Sequence, residues 1–201
     1  MKKIIPFVIL LLFFAACKKP KVKDIQTNNS VDSLTYQPKV PGSRWTYTRT
    51  ILLNNTNYNY ERLATDTVHL GNTYNVFYSD VDGAQYLRQD GDKYYNVLTA
   101  STNKPPLLVL DASKNINESW VGGVNGSDTY TYTIKEKIPI FVLDGFTFKN
   151  VIKVYQTRTT TSGSTTLAGD TYYAQGVGMI KTEGTVSGIP VTIKLIYLDL
   201  K

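Results

Sequence analysis

From Ser43 to the C-terminus, apolar and polar positions alternate, and short turn clusters punctuate the alternation. In the first segment Trp45, Tyr47, Ile51 and Leu53 fall on one face, with Arg49 interrupting them. Asn54-Asn55-Thr56-Asn57 reads as a turn. Tyr58, Tyr60, Ala64, Val68 and Leu70 share the next face, opposite Asn59, Glu61, Thr65, Thr67 and His69. Tyr74, Val76 and Tyr78 continue the pattern. Asp82-Gly83, Asp90-Gly91 and Asp144-Gly145 are hairpin signals, since both residue types tolerate positive φ. The cleanest strand runs from Thr129 to Lys137, with Tyr130, Tyr132 and Ile134 inward. Ile138 to Leu143, Phe146 to Thr161, Thr171 to Ala174, Gly178 to Thr182 and Pro190 to Leu200 complete the series.

That is about ten strands at the roughly 8–12-residue spacing of a sandwich or barrel. No helical stripe exceeds two turns. The pattern predicts an all-β fold, a single antiparallel meander over residues 41–201. Such a meander curls into a curved sheet, half-barrel or barrel, because a flat open sheet leaves its edges bare. Trp45 and Trp120 are expected to be buried.

The N-terminus follows another pattern. Met1-Lys2-Lys3 is cationic, Ile4 to Phe14 is apolar apart from Pro6, and the small pair Ala15-Ala16 precedes Cys17. This is the order of a secretory signal peptide over residues 1–16. The apolar run is too short for a bilayer, which needs roughly 20 apolar residues. The stretch Phe14 to Cys17 resembles the bacterial lipobox, in which small residues precede a cysteine that takes a diacylglycerol thioether. The resemblance makes Cys17 the lipid attachment residue and membrane lipid its first partner. Cys17 is the only cysteine, so the exported domain must rest on its core rather than on disulfides. Residues 17–40 read as the lipidated cysteine and a polar tether without periodicity.

Charge refines that division. Lys2, Lys3, Lys18, Lys19, Lys21, Lys23 and Lys39 precede Pro41, leaving 15 of the 22 basic residues against 14 acidic ones beyond it. The basic excess therefore belongs to the leader and the tether, and the domain carries no basic stripe for nucleic acid. The whole chain's 15 Tyr, against seven Phe, suit half-buried strand faces and can also form a stacking surface for carbohydrate.

Catalytic signals are sparse. One histidine, His69, sits on a polar strand face with no serine or thiol partner in sequence. Zinc sites want several His or Cys. Asp80-Val81-Asp82 and Asp90-Gly91-Asp92 have the spacing of Ca²⁺ ligands but not the rest of such a loop. Gly176-Val177-Gly178 opens no helix. No catalytic, cofactor or metal residue is assigned, and ligand-binding residues are left open.

Two stretches carry a resemblance. "DGFTFKNVIKV" (Asp144 to Val154) and "YYAQGVGMIKTE" (Tyr172 to Glu183) resemble paired signatures of a group of uncharacterised lipoproteins from Bacteroidota. "PGSRWTYT" (Pro41 to Thr48) and "NESW" (Asn117 to Trp120) look like further elements of it. The resemblance implies an envelope address and a fold type, with no established activity. Surface-exposed lipoproteins of that lineage carry acidic residues after the cysteine. Lys18-Lys19-Pro20-Lys21 here has the opposite sign, which implies an outer-membrane protein facing the periplasm. The lineage also O-glycosylates Asp-Ser/Thr-apolar tripeptides, which Asp32-Ser33-Leu34 and Asp66-Thr67-Val68 match.

These readings lead to a non-catalytic, membrane-anchored lipoprotein. It is expected to bind a hydrophobic or carbohydrate ligand. The alternative is a structural lipoprotein of an envelope complex, with a filled core. Anchoring is directly testable: Cys17→Ser is expected to abolish incorporation of a clickable fatty acid. Equal labelling of mutant and wild type would refute the lipobox reading.

Overall fold

The structure, a computed structural model, describes residues 23–24, 35–97 and 104–201. The signal peptide, Cys17 and Ser33 lie outside the described residues. The strands are β1 (Lys23–Asp24), β2 (Arg44–Ile51), β3 (Asn54–His69), β4 (Asn72–Ser79), β5 (Gly83–Asp90), β6 (Lys93–Val97), β7 (Leu107–Asp111), β8 (Ser119–Asn125), β9 (Asp128–Leu143), β10 (Phe146–Thr160), β11 (Thr165–Ala174), β12 (Gly178–Val186) and β13 (Ile189–Asp199). No helix occurs among the described residues. The all-β meander is what the alternation predicted.

Twelve strands form one antiparallel sheet in the order β7-β6-β5-β4-β3-β2-β13-β12-β11-β10-β9-β8. Every neighbour is a chain neighbour except at one place, where the last strand pairs with β2: Leu195 lies opposite Tyr47 and Leu198 opposite Trp45. The two-residue β1 adds in parallel beside Phe146 and Thr147. The ends of the order, β7 and β8, meet without a backbone ladder. The Trp120 indole N–H donates to the Leu108 carbonyl across this seam at 2.8 Å. A side chain at Gly122 would strike that same carbonyl at 2.6 Å, so glycine there is what lets the two edges approach. The sheet is thus a nearly closed barrel.

Curvature has an identifiable source. Gly169 on β11 lies directly opposite Gly184 on β12. A Cβ at Gly169 would stand 2.5 Å from the Glu183 carbonyl oxygen, and one at Gly184 would stand 2.2 Å from that of Ala168. The strands fold towards each other here more tightly than any side chain allows, as at a barrel corner. Register shifts at Lys153/Val154, Tyr172/Tyr173 and Leu195/Tyr197 add local bends.

Two clusters make the core. One joins Trp45, Tyr47, Phe77, Phe148, Val151, Val177, Ile180 and Leu195. The other joins Tyr94, Leu110, Tyr132, Ile134, Ile152 and Val154. Each large side chain so buried contributes about 1.5–3 kcal/mol. Two long hydrogen bonds lock the first cluster: Trp45 Nε1 donates to the Val177 carbonyl and Tyr47 Oη to that of Met179, both at 2.9 Å. Trp45 is buried as expected, whereas Trp120 is half-buried at the seam.

Several local expectations change. Asn54 to Asn57 are not a turn but the start of β3. Across the pair, Thr46, Thr48 and Thr50 donate to the Asn59, Asn57 and Asn55 side-chain carbonyls at 3.0, 2.7 and 2.7 Å. The turn is Leu52-Leu53, and Leu53 is 95% exposed. Val68 and Leu70 also face solvent, because the ladder slips between Arg62 and Asp66 and interrupts the alternation that placed them with Tyr58 and Tyr60. β9 is one strand rather than two, and Gly122-Gly123 lies inside β8.

The packed domain also begins before Pro41. Thr35 and Gln37, assigned to the tether from sequence, are buried. The Gly176 amide donates to the Thr35 carbonyl at 2.6 Å, and the Tyr36 amide to Tyr94 Oη at 3.1 Å.

The glycine corner yields a stability prediction. Gly184→Ala forces a Cβ onto a carbonyl and is expected to cost about 3 kcal/mol. Gly188→Ala, in an open turn where the added Cβ meets nothing, is expected to cost less, with its positive φ as the only penalty. Urea midpoints of the two variants check the order.

Candidate functional site: the barrel lumen

Because the strands run antiparallel in series, their turns alternate between two ends. The chain enters at the proximal end, with the turns at 70–71, 91–92, 144–145 and 175–177. The distal end carries the turns at 52–53, 80–82, 126–127, 161–164 and 187–188. Between them lies a cavity of about 490 Å³, within the range of small-molecule sites. Tyr36, Gln37 and Pro38 border it at the proximal end, where they act as a cap. Towards the distal end its borders include Val186, 39% exposed, and Asp82, so the lumen meets solvent there.

Two walls face each other. β9 to β11 supply Tyr130, Tyr132, Gln156, Arg158, Thr171 and Tyr173. β2 to β6 supply Trp45, Tyr47, Tyr58, Tyr60, Phe77, Gln85, Leu87 and Asn96. The aromatic rings hold one another in place: Tyr47 stacks on Tyr58 at 5.4 Å, Tyr60 on Phe77 at 5.2 Å, and Tyr132 on Trp120 at 5.5 Å. Across the first wall one row of the ladder reads Tyr132, Gln156, Gly169, Gly184. The two glycines leave bare backbone beside the Gln156 amide.

The polar groups of the lumen are unevenly satisfied. Tyr47 Oη is bonded to a carbonyl, and Tyr60 Oη donates to Gln85 Oε1 at 3.3 Å. Tyr94 Oη accepts from Gln89 Nε2 at 3.1 Å. The hydroxyls of Tyr58, Tyr130, Tyr132 and Tyr173 and the Gln156 amide have no hydrogen-bond partner among the described residues. Asn96 Oδ1 is buried without a donor. Charges are paired: Arg158 with Asp128 and Arg49 with Asp82, each at 3.7 Å, and Glu183 with Lys181 at 2.6 Å.

Burial, and next the proximity of neighbouring phenols, pushes Tyr47, Tyr60 and Tyr132 well above the ordinary tyrosine value. Tyr173 rises through burial alone. These phenols are neutral at physiological pH and so can both donate and accept. Tyr60 and Tyr173 keep accessible surface in spite of this desolvation, and that surface faces the lumen.

The sequence-derived candidates fall elsewhere. Tyr130 and Tyr132 point inward as read. His69 is half-buried, edge-on to Tyr74, with Nε2 2.8 Å from the Lys104 carbonyl oxygen. Asp80 accepts from the Asn59 amide and side chain. Thr67 is half-buried in mid-strand, opposite Tyr74. Gln156, Tyr173 and the Gly169–Gly184 row were not singled out by sequence. The local signal was there for Gln156, an amide in phase with Ile152 and Val154, but nothing local shows that its face borders a space.

No family model and no curated protein matches the chain. It is similar in structure to a "putative exported protein with YmcC-like fold" from Bacteroides fragilis NCTC 9343, with a TM-score of 0.50 and 11% identity over 81% of this chain and 97% of that one. A "putative lipoprotein" from Parabacteroides distasonis ATCC 8503 aligns with a TM-score of 0.46 and 14% identity, over 82% and 98%. The first likeness shows a shared fold.

The phenols also set an alkaline limit. Their pKa values are raised on folding, so the stability they contribute is complete below the unfolded value near 10.0 and is lost as pH rises through the folded values. Tyr36 in the cap, pushed up to about 12 by burial, lies in that window. In a titration followed at the phenolate absorbance, the lumen tyrosines are expected to ionise only together with unfolding above pH 10. Their gradual ionisation in a folded protein near pH 10 would contradict their burial.

Proposed function

We propose that the protein is a lipid-anchored envelope protein that binds a small ligand in its barrel lumen without catalysis. The observation that carries this is the space itself: about 490 Å³, lined by aromatic rings and by hydroxyls and an amide that no described residue satisfies. A filled core would not leave that volume. The apolar walls supply affinity, and the few polar groups supply orientation. Among the described residues the cap closes the proximal end and the lumen opens at the distal end.

The address rests on the leader and on Cys17, through which membrane lipid is the anchoring partner. The fold-sharing Bacteroides fragilis protein is described as exported, which supports that address. The outer-membrane position facing the periplasm is what the lipoprotein resemblance implies for a chain with lysines after Cys17. The cavity volume favours the ligand-binding reading over a purely structural lipoprotein with a filled interior.

A neutral apolar fluorophore, N-phenyl-1-naphthylamine, is expected to brighten on entering the lumen. Gln156→Trp, which fills the space beside the glycine row, is expected to abolish the signal while leaving the circular dichroism unchanged. Leu167→Trp, nearer the distal end, serves as a second filling variant. A fluorescence change that both filling variants leave intact would overturn the lumen as the site.

A further inference from the structure

We propose that the lumen takes an uncharged, hydroxyl-rich ring ligand of the saccharide class in preference to an acyl chain. This rests on the lumen being the ligand site and names what it selects. The starting point is the group of unpartnered hydroxyls on Tyr58, Tyr130, Tyr132 and Tyr173. These hydroxyls and the Gln156 amide border the cavity and stay open to it, unlike the sealed Tyr74 Oη, Arg88 Nε and Asn96 Oδ1. A ligand that covers such a group without hydrogen-bonding it forfeits about 1–3 kcal/mol for each.

An acyl chain entering this space would strip water from those groups and return nothing to them. It would add its own desolvation gain and forfeit part of it to every hydroxyl left bare. A saccharide reverses the balance. Its hydroxyls donate and accept, as neutral phenols and amides do, and its C–H faces pack on the flat aromatic rings that line both walls. Beside Gln156 the wall is bare backbone at Gly169 and Gly184, and all three residues border the cavity. Charge points the same way: Arg158, Arg49 and Glu183 all have ionic partners. A carboxylate or phosphate headgroup would therefore have to break an existing pair to be held.

The test uses the full-length protein, extracted from its own membrane in mild detergent. Native mass spectrometry is expected to show an adduct whose mass is a sum of sugar residues. Independently, thermal melts with maltotriose, xylotriose, N-acetylglucosamine trimer and laurate are expected to show stabilisation by at least one trisaccharide and none by laurate. The double variant Tyr132→Phe/Tyr173→Phe removes two orphaned hydroxyls. It is expected to bind that trisaccharide about tenfold more weakly while melting no lower than wild type, which purely structural tyrosines would not do. A fatty-acid or phospholipid adduct, or stabilisation by laurate alone, would overturn the saccharide class and leave the lumen standing as a site. Trisaccharide binding that the double variant does not weaken would overturn the role of the hydroxyls. A bare protein that binds no trisaccharide overturns the proposal, and the fluorophore result then shows whether the lumen reading falls with it.

Discussion

A sheet of twelve strands has to turn back on itself, and the turn depends on two residues with no side chain. Where Gly169 faces Gly184, each would-be Cβ falls onto the neighbouring strand's carbonyl. The remaining architecture is downstream of that contact. With β11 and β12 folded together, the start of β12 comes within reach of β2, two strands away in the sheet order. Trp45 and Tyr47 then find carbonyls 132 residues later in the chain. Those two hydrogen bonds satisfy groups that would be expensive to bury alone, and they close the larger core cluster.

The same logic governs the two weak points of the barrel. At the seam, β7 and β8 have no ladder, and a single indole hydrogen bond with close glycine contacts substitutes for one. Trp120 can do this because Tyr132 stacks on its other side, so the ring is fixed before it donates. At the proximal end the entering chain serves as a lid. Thr35 and Tyr36 bond to β6 and to the β11–β12 turn, and Pro38 and Tyr36 lie beside Gly178. One end of the lumen is therefore capped by the segment that leads into β2.

The fold class was legible because period-two alternation over a run such as Thr129 to Lys137 has no competing reading. Turn chemistry was equally direct at Asp144-Gly145, where both residues adopt positive φ. Elsewhere local chemistry misled for physical reasons. Asparagines before Tyr58 resemble a turn because asparagine usually bonds its own backbone, yet here threonines on the partner strand satisfy their side chains. A glycine pair in β8 resembles a turn because its real task, close approach of a distant edge, leaves no local trace. The lumen itself was half legible. That Tyr130 and Tyr132 point inward follows from alternation; that the inside is empty does not. Emptiness depends on how far apart two walls stand, and that distance is set by bends and register shifts over the whole sheet.

An empty, partly polar interior is an unfavourable choice for a domain without disulfides. Filling the lumen with leucine or isoleucine would add contact and remove orphaned hydroxyls at no cost in strand propensity. The chain does not need tyrosine there for the fold: apolar side chains already pack Ile134 against Val154 in the same pair of strands. Tyr132 and Gln156, the next inward pair along that ladder, place a hydroxyl and an amide where apolar groups would serve stability better. The substitution of polar for apolar begins where the cavity begins. Such a boundary is hard to explain by packing, since packing favours continuing the apolar row. It is what an interior shaped around something other than its own side chains would look like, and it is why the cavity and its polar lining are best explained together.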